Sequence, residues 1–215
     1  MERRLYRSAT SIGSQCLTSV AMQAADIKRF SGPFDWIFSN LRMVCDCIED
    51  DFSMFLDRSQ YVRIEPERRS NPDGQFAHHI HYGRRYGLHA LFNHSDPTQP
   101  EVYAYLERCV DRFRQMLRSP EPQLLLAVST REQGGRYAFD RLSKILASYP
   151  KVEACVIILQ DFGCTQALEI WEEHDRHRLF NLRSLSPIAG IHFENASDNA
   201  YLTQLLRGMI ALSSS

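Results

Sequence analysis

The sequence predicts an α/β fold of three layers, a mostly parallel sheet with helices on both faces. LLLAVS (124–129) and ACVIILQ (154–160) are continuous apolar runs on either side of a helical pattern at 137–148. That is the mark of a βαβ unit whose strands are buried on both faces. At the N-terminal side, an extended stretch at 5–12 passes through Gly13-Ser14-Gln15 into an apolar-periodic run at 16–27, a strand, a turn and a helix. A right-handed crossover through 137–148 makes the two apolar strands parallel and adjacent or nearly so, with the first strand in the same sheet near its centre.

The remaining elements follow in chain order. Ser31-Gly32-Pro33 breaks the chain after the first helix. A helix is expected over 39–49, a short one over 51–56, and a strand over 61–64. Residues 65–74 (EPERRSNPDG) are the most loop-like stretch and the one candidate lobe boundary; 1–215 still reads as a single α/β domain. Residues 76–82 and 86–92 look extended, with GRR between them. Pro97 and Pro100 introduce a strong helix over 101–118, with Tyr105, Cys109, Phe113 and Met116 on one stripe. Residues 166–185 read as a hairpin turning at EHDRH, with a helix as the alternative. A last strand is expected at 188–193 and a last helix at 200–212.

Composition narrows the function classes. In 215 residues, 25 Lys and Arg nearly balance 26 Asp and Glu, for a net charge of −1. Such a balance gives no reason to expect nucleic acid or an anionic membrane as partner. Only three of the 25 cations are Lys, so planar guanidinium groups dominate the positive charge. The longest apolar run, 154–159, is far short of the roughly 20 residues that span a bilayer. The N-terminal MERRLYRSATSIG lacks the apolar core of a signal peptide. A cytoplasmic protein is expected, its six scattered cysteines reduced and mostly packed as small hydrophobes. The substrate is expected to be a small molecule, glycan or peptide.

The candidate chemistry centres on Cys16. A strand ending in Gly-Ser-Gln-Cys and opening a helix sets a thiol at the helix N-terminus, where free N–H groups favour a thiolate and can hold an oxyanion beside it. The bland alternative is a Cys chosen for its size. Among eight histidines, His94 is the first choice of base, because it follows an extended segment in the turn-forming sequence Asn93-His94-Ser95-Asp96-Pro97. His78, His79 and His81 form a second group. On a strand His79 and His81 would share a face, but no further ligands at readable spacing accompany them, and no metal or other cofactor is expected. His192, beside Glu194, is the reserve base. His174 and His177 sit in a charge-rich turn and are expected to be solvated.

Asp35, between Phe34 and Trp36, is the candidate third catalytic residue, orienting the imidazole, or else a helix cap. Ser14, Gln15 and Asp96 are the oxyanion or substrate-binding candidates, Asp96 being also the second choice of orienter. Asp161 falls at the carboxyl edge of a predicted strand, where it orients a base or simply precedes the turn at Gly163. Gly134-Gly135 is no phosphate loop, and GxGxxG, HExxH, GxSxG and CxxC are all absent.

Ser11-Ile12-Gly13-Ser14-Gln15-Cys16, with Phe30-Ser31-Gly32-Pro33-Phe34-Asp35-Trp36-Ile37, resembles a mostly bacterial family of unknown function described as papain-like cysteine peptidases. Residues 51–56 (DFSMFL), Phe92-Asn93-His94 and the stretch from Tyr105 to Phe113 extend the resemblance over most of the chain. It implies Cys16 as nucleophile and His94 as base, with Asp35 in the motif. A nucleophile turn directly after the first strand is also similar to polysaccharide-linked acyltransferases and GDSL-type esterases. Acyl transfer through a cysteine is thus the expected chemistry. A catalytically silent domain binding an anionic ligand through its arginines is the alternative from another class.

Overall fold

The computed structural model describes residues 3–71, 73–130 and 135–213. The chain opens with β1 (Arg4–Tyr6) and β2 (Ser8–Ser11), then α1 (Leu17–Ala24) and α2 (Leu41–Glu49). A peripheral segment follows, with β3 (Tyr61–Arg63), β4 (Ala77–His79) and α3 (Ile80–Tyr86). The long α4 (Pro100–Leu117) leads into β5 (Gln123–Thr130), α5 (Arg136–Leu146) and β6 (Val152–Phe162). The chain then forms β7 (Ala167–His174), β8 (His177–Ser184), β9 (Ile188–Ala189), β10 (His192–Phe193), α6 (Ala196–Met209) and β11 (Ile210–Leu212).

The main sheet has five strands in the order β2-β5-β6-β8-β7. Its first three pairings are parallel, and β7 lies antiparallel on the outside of β8. The expected βαβ unit is β5-α5-β6, in register from Gln123 opposite Val152 to Thr130 opposite Leu159. Side chains of these strands alternate between two cores. Leu125, Ala127, Ala154, Val156 and Ile158 pack under α2, α4 and α5. Leu124, Leu126, Val128, Cys155 and Ile157 pack under α1 and α6. Three layers result, because strands apolar on both faces must be covered on both.

Several expectations are corrected. The first strand is at the edge of the main sheet rather than its centre. Its SATS sequence lacks the two-sided apolar pattern of β5 and β6, and β1 pairs separately with β11. Residues 51–56 form turns rather than a helix, because Asp51 and Phe52 take left-handed backbone angles (φ 50° and 63°). Residues 76–92 are not two extended segments. His79 Nδ1 accepts from the Tyr82 N–H at 3.5 Å and caps α3, which runs through GRR and stops at Gly87 with φ 68°. The expected strand at 188–193 is a two-stranded antiparallel hairpin, β9 and β10, turning at Gly190 with φ 63°. The last helix starts earlier, where Asn195 caps the Ser197 N–H at 2.9 Å, and ends at Met209, before β11. The 166–185 hairpin is present, with Asp175 at φ 54° in its turn. Its His177 is buried, not solvated, and its Nδ1 accepts the Ala154 N–H at 3.1 Å.

Candidate active site

The turn at Gly13 to Cys16 is held from three sides. Beyond the end of β2, the Thr18 hydroxyl takes the place of a neighbouring strand for Val128, donating to its carbonyl (3.1 Å) and accepting from its N–H (2.9 Å). The same hydroxyl presses on Gly13, where a Cβ would lie 1.9 Å from Thr18 Oγ1. No side chain fits there, so this glycine is required by contact rather than by dihedral angle. Ser39 then pins the turn from α2's approach: its hydroxyl donates to the Gly13 carbonyl (2.6 Å) and its N–H to that of Ser14 (3.0 Å). Ser14 Oγ lies 3.2 Å from Ser129 Oγ on β5. Cys16 is thereby set at the N-cap of α1, at the carboxyl edge of the parallel strands. That edge is where open α/β sheets assemble ligand sites.

The structure brings Cys16 and His94 together, Sγ to Nε2 at 3.2 Å. The thiol is 4% exposed, while the His94 ring is open to solvent. Two neighbours not picked out from the sequence hold this ring. Trp36 packs edge-on against it, with centroids 6.3 Å apart and planes at 88°. Asn93 sets the direction of the proton. Its Oδ1 accepts the Gln75 N–H at 3.1 Å, which turns its amide nitrogen toward His94 Nε2 at 3.3 Å. An amide nitrogen can only donate, so Nε2 is an acceptor and a neutral ring carries its proton on Nδ1. That tautomer is ready to receive the thiol proton. The position of Asn93 beside His94 was the available sequence signal; Trp36 was visible only as part of the PFDW motif.

Electrostatics differ from the helix-terminus expectation. Burial pushes the Cys16 thiol up to about 11, and the nearby Asp35 charge pushes the same way. Burial thus opposes a standing thiolate at Cys16.

Asp35 is fully buried, and its carboxylate is bonded elsewhere than the ring. Oδ1 accepts from Ser19 Oγ (2.7 Å), and Oδ2 from the Gly32 N–H (2.7 Å) and Lys28 Nζ (2.5 Å). Lys28 was not singled out by the sequence. Asp96 accepts from the Thr98 N–H (3.0 Å) and hydroxyl (2.7 Å) and lies 3.7 Å from Arg63. Among the described residues no carboxylate is hydrogen-bonded to the His94 ring. Gln15 is half-buried beside the turn. Asp161, at the end of β6, is exposed and caps the Phe162 N–H at 2.8 Å.

The second histidine group is dispersed. His79 is enclosed by Phe55, Tyr61 and Tyr82, and burial lowers its pKa to about 4. His78 Nδ1 accepts the Ala90 N–H at 2.9 Å. His81 is on α3 rather than on a strand face with His79, so the two rings are not presented side by side. His192 is in β10. Asp140, Glu172 and His174 do come together, their ligand atoms all within 4.8 Å, but Glu172 also pairs with Arg136. Gly134 is outside the described residues.

Beside His94 opens a cavity of about 320 Å³ between the PFDW segment and α4. The Cys16 turn, the His94 turn and this cavity all fall within residues 7–149, which match the family described as "Putative papain-like cysteine peptidase (DUF1796)". The chain belongs to this family. The match covers about two thirds of the chain and stops just before β6. No curated protein and no solved structure matches it. Among the described residues, no helix of this family member is long and apolar enough to cross a membrane.

Proposed function

We propose that the protein is a cysteine-dependent hydrolase or transferase that works by acyl transfer through Cys16. The observation that carries this reading is the 3.2 Å contact between Cys16 Sγ and an acceptor nitrogen of His94. The thiol proton passes to Nε2 as Sγ attacks the substrate carbonyl. The oxyanion that forms turns toward the backbone N–H groups of residues 15–17, at the uncapped N-terminus of α1, with the Gln15 amide within the same turn. Ser14 and Ser39 act by fixing that turn. His94 then gives its proton to the leaving group, and water or a second acceptor releases the acyl group from sulfur.

Cys16 and His94 are the catalytic residues of this reading. Asp35 is a positioning residue, because it ties α1, Lys28 and Gly32 to the segment that carries Trp36. A thiol at the carboxyl edge of parallel strands favours the esterase- or acyltransferase-like form of the chemistry alongside the peptidase form. A short incubation with p-nitrophenyl acetate, followed by peptide mass mapping, tests the proposal. An acetyl group on Cys16 in the wild type, lost in His94→Ala, is expected. Acetylation confined to the exposed Cys164, or a Cys16 adduct indifferent to His94, refutes it.

A further inference from the structure

We propose that the cavity beside His94 receives the leaving group, and that this group is an uncharged, apolar substituent of about ten heavy atoms. The inference rests on the acyl-transfer reading above. In that reaction the acyl carbon bonds to Sγ, its oxygen turns toward α1, and the bond from carbon to the departing heteroatom breaks. The proton on Nε2 goes to that heteroatom, which must therefore come within hydrogen-bond reach of His94. Whatever the heteroatom carries is consequently on the His94 side of the pair. A water then attacks the thioester, its oxygen bonding to the acyl carbon as the S–C bond breaks, and one of its protons returns to sulfur.

The cavity is on that side. His94 lines it and Cys16 does not. Its walls are mainly Trp36, Ile37, Phe92, Val102, Tyr105 and Leu106, contributed by the PFDW segment, the residue two before His94, and α4. A volume of about 320 Å³ is that of about ten waters at roughly 30 Å³ each, which sets the size of the group. Among the described residues, Glu101 is the one carboxylate in the lining, and no Lys or Arg lines it. A phosphorylated or carboxylated leaving group would meet a like charge and no lysine or arginine to pair with it. An alkyl or aryl alcohol, thiol or amine gains from burial instead.

Three thioesters of similar intrinsic reactivity separate the two sides of the site: S-ethyl thioacetate, S-octyl thioacetate and S-ethyl thiooctanoate. Each buried methylene is worth up to about fourfold, so six of them in a half-open cavity should raise kcat/KM at least about 100-fold. That gain is expected for the octyl leaving group and not for the octanoyl group. Val102→Trp, which fills the cavity, should reduce the octyl-to-ethyl ratio to less than about tenfold; Tyr105→Ala, which unroofs it, should lower the same ratio and serves if the tryptophan variant does not fold. Cys16-dependent turnover with no leaving-group preference, with the preference on the acyl side, or with a ratio untouched in both variants overturns the assignment alone. Turnover that survives Cys16→Ala, or none with any thioester, overturns the acyl-transfer reading and the assignment with it.

Discussion

Alkylation of Cys16 as a function of pH reads the resting state of the thiol directly. With the thiol pushed up to about 11, its thiolate fraction at pH 7 is roughly 1 in 10,000, against about 3% for a free thiol of pKa about 8.5. That is a deficit of about 300-fold. A more basic thiolate is also more nucleophilic, and with a Brønsted slope near 0.45 the gap of about 2.5 units returns roughly tenfold. The net expectation is alkylation about 30-fold slower than at an accessible free thiol, before burial further restricts the reagent. Of the six cysteines only Cys164 is exposed, so it is the internal reference for access. The assay is a time course with iodoacetamide from pH 6 to 10, with each cysteine followed by peptide mass mapping. Cys164 should be modified first at pH 7, and the Cys16 rate should rise about tenfold per pH unit through the whole range. Cys16 modified ahead of Cys164, with a rate already flat below pH 8, would mean a standing thiolate and would refute the burial argument.

Thr18→Val keeps the side-chain volume but leaves the N–H and carbonyl of Val128 without their partner; a loss of about 2–4 kcal/mol in urea unfolding is expected, with Thr18→Ser well below that, and a silent Val variant would show the hydroxyl to be dispensable. Asp35→Asn strands Lys28, only 5% exposed, and should cost about 3–5 kcal/mol. If that variant melts like the wild type yet is inactive, Asp35 acts in the chemistry rather than in positioning. Burial lowers both His79 and His177 to about 4 from the 6.5 they have unfolded. Between those values the unfolded chain binds more protons, so stability held above pH 6.5 should be lost as pH falls toward 4, with a slope approaching two protons. A pH-independent unfolding midpoint across that window would contradict it.

The sheet was legible where hydrophobic pattern alone decides. β5 and β6 are apolar on both faces, which leaves a covered parallel pair as the natural outcome. It was less legible where single backbone angles or caps decide. The positive angles at Asp51 and Phe52 convert a helical pattern into turns. His79, read as a strand residue, caps α3 instead, because an imidazole nitrogen can accept a backbone N–H as well as a carboxylate can. Short polar strands such as β2 carry too little pattern to give their place in a sheet.

The site divides along the same line. Cys16 and His94 were readable because a turn into a helix and a turn after an extended segment each restrict where a side chain can go. What Asp35 contacts was not readable, because an acid flanked by aromatics announces burial without saying what it is buried against. The answer in this chain is Lys28, seven residues earlier, along with Ser19 and the Gly32 N–H. With Asp35 so engaged, the Asn93 amide, not a carboxylate, meets the His94 ring. The ring is thus held by an amide on one side and by the edge of Trp36 on another, and the acid of the PFDW segment acts one step away, through the backbone that carries that tryptophan.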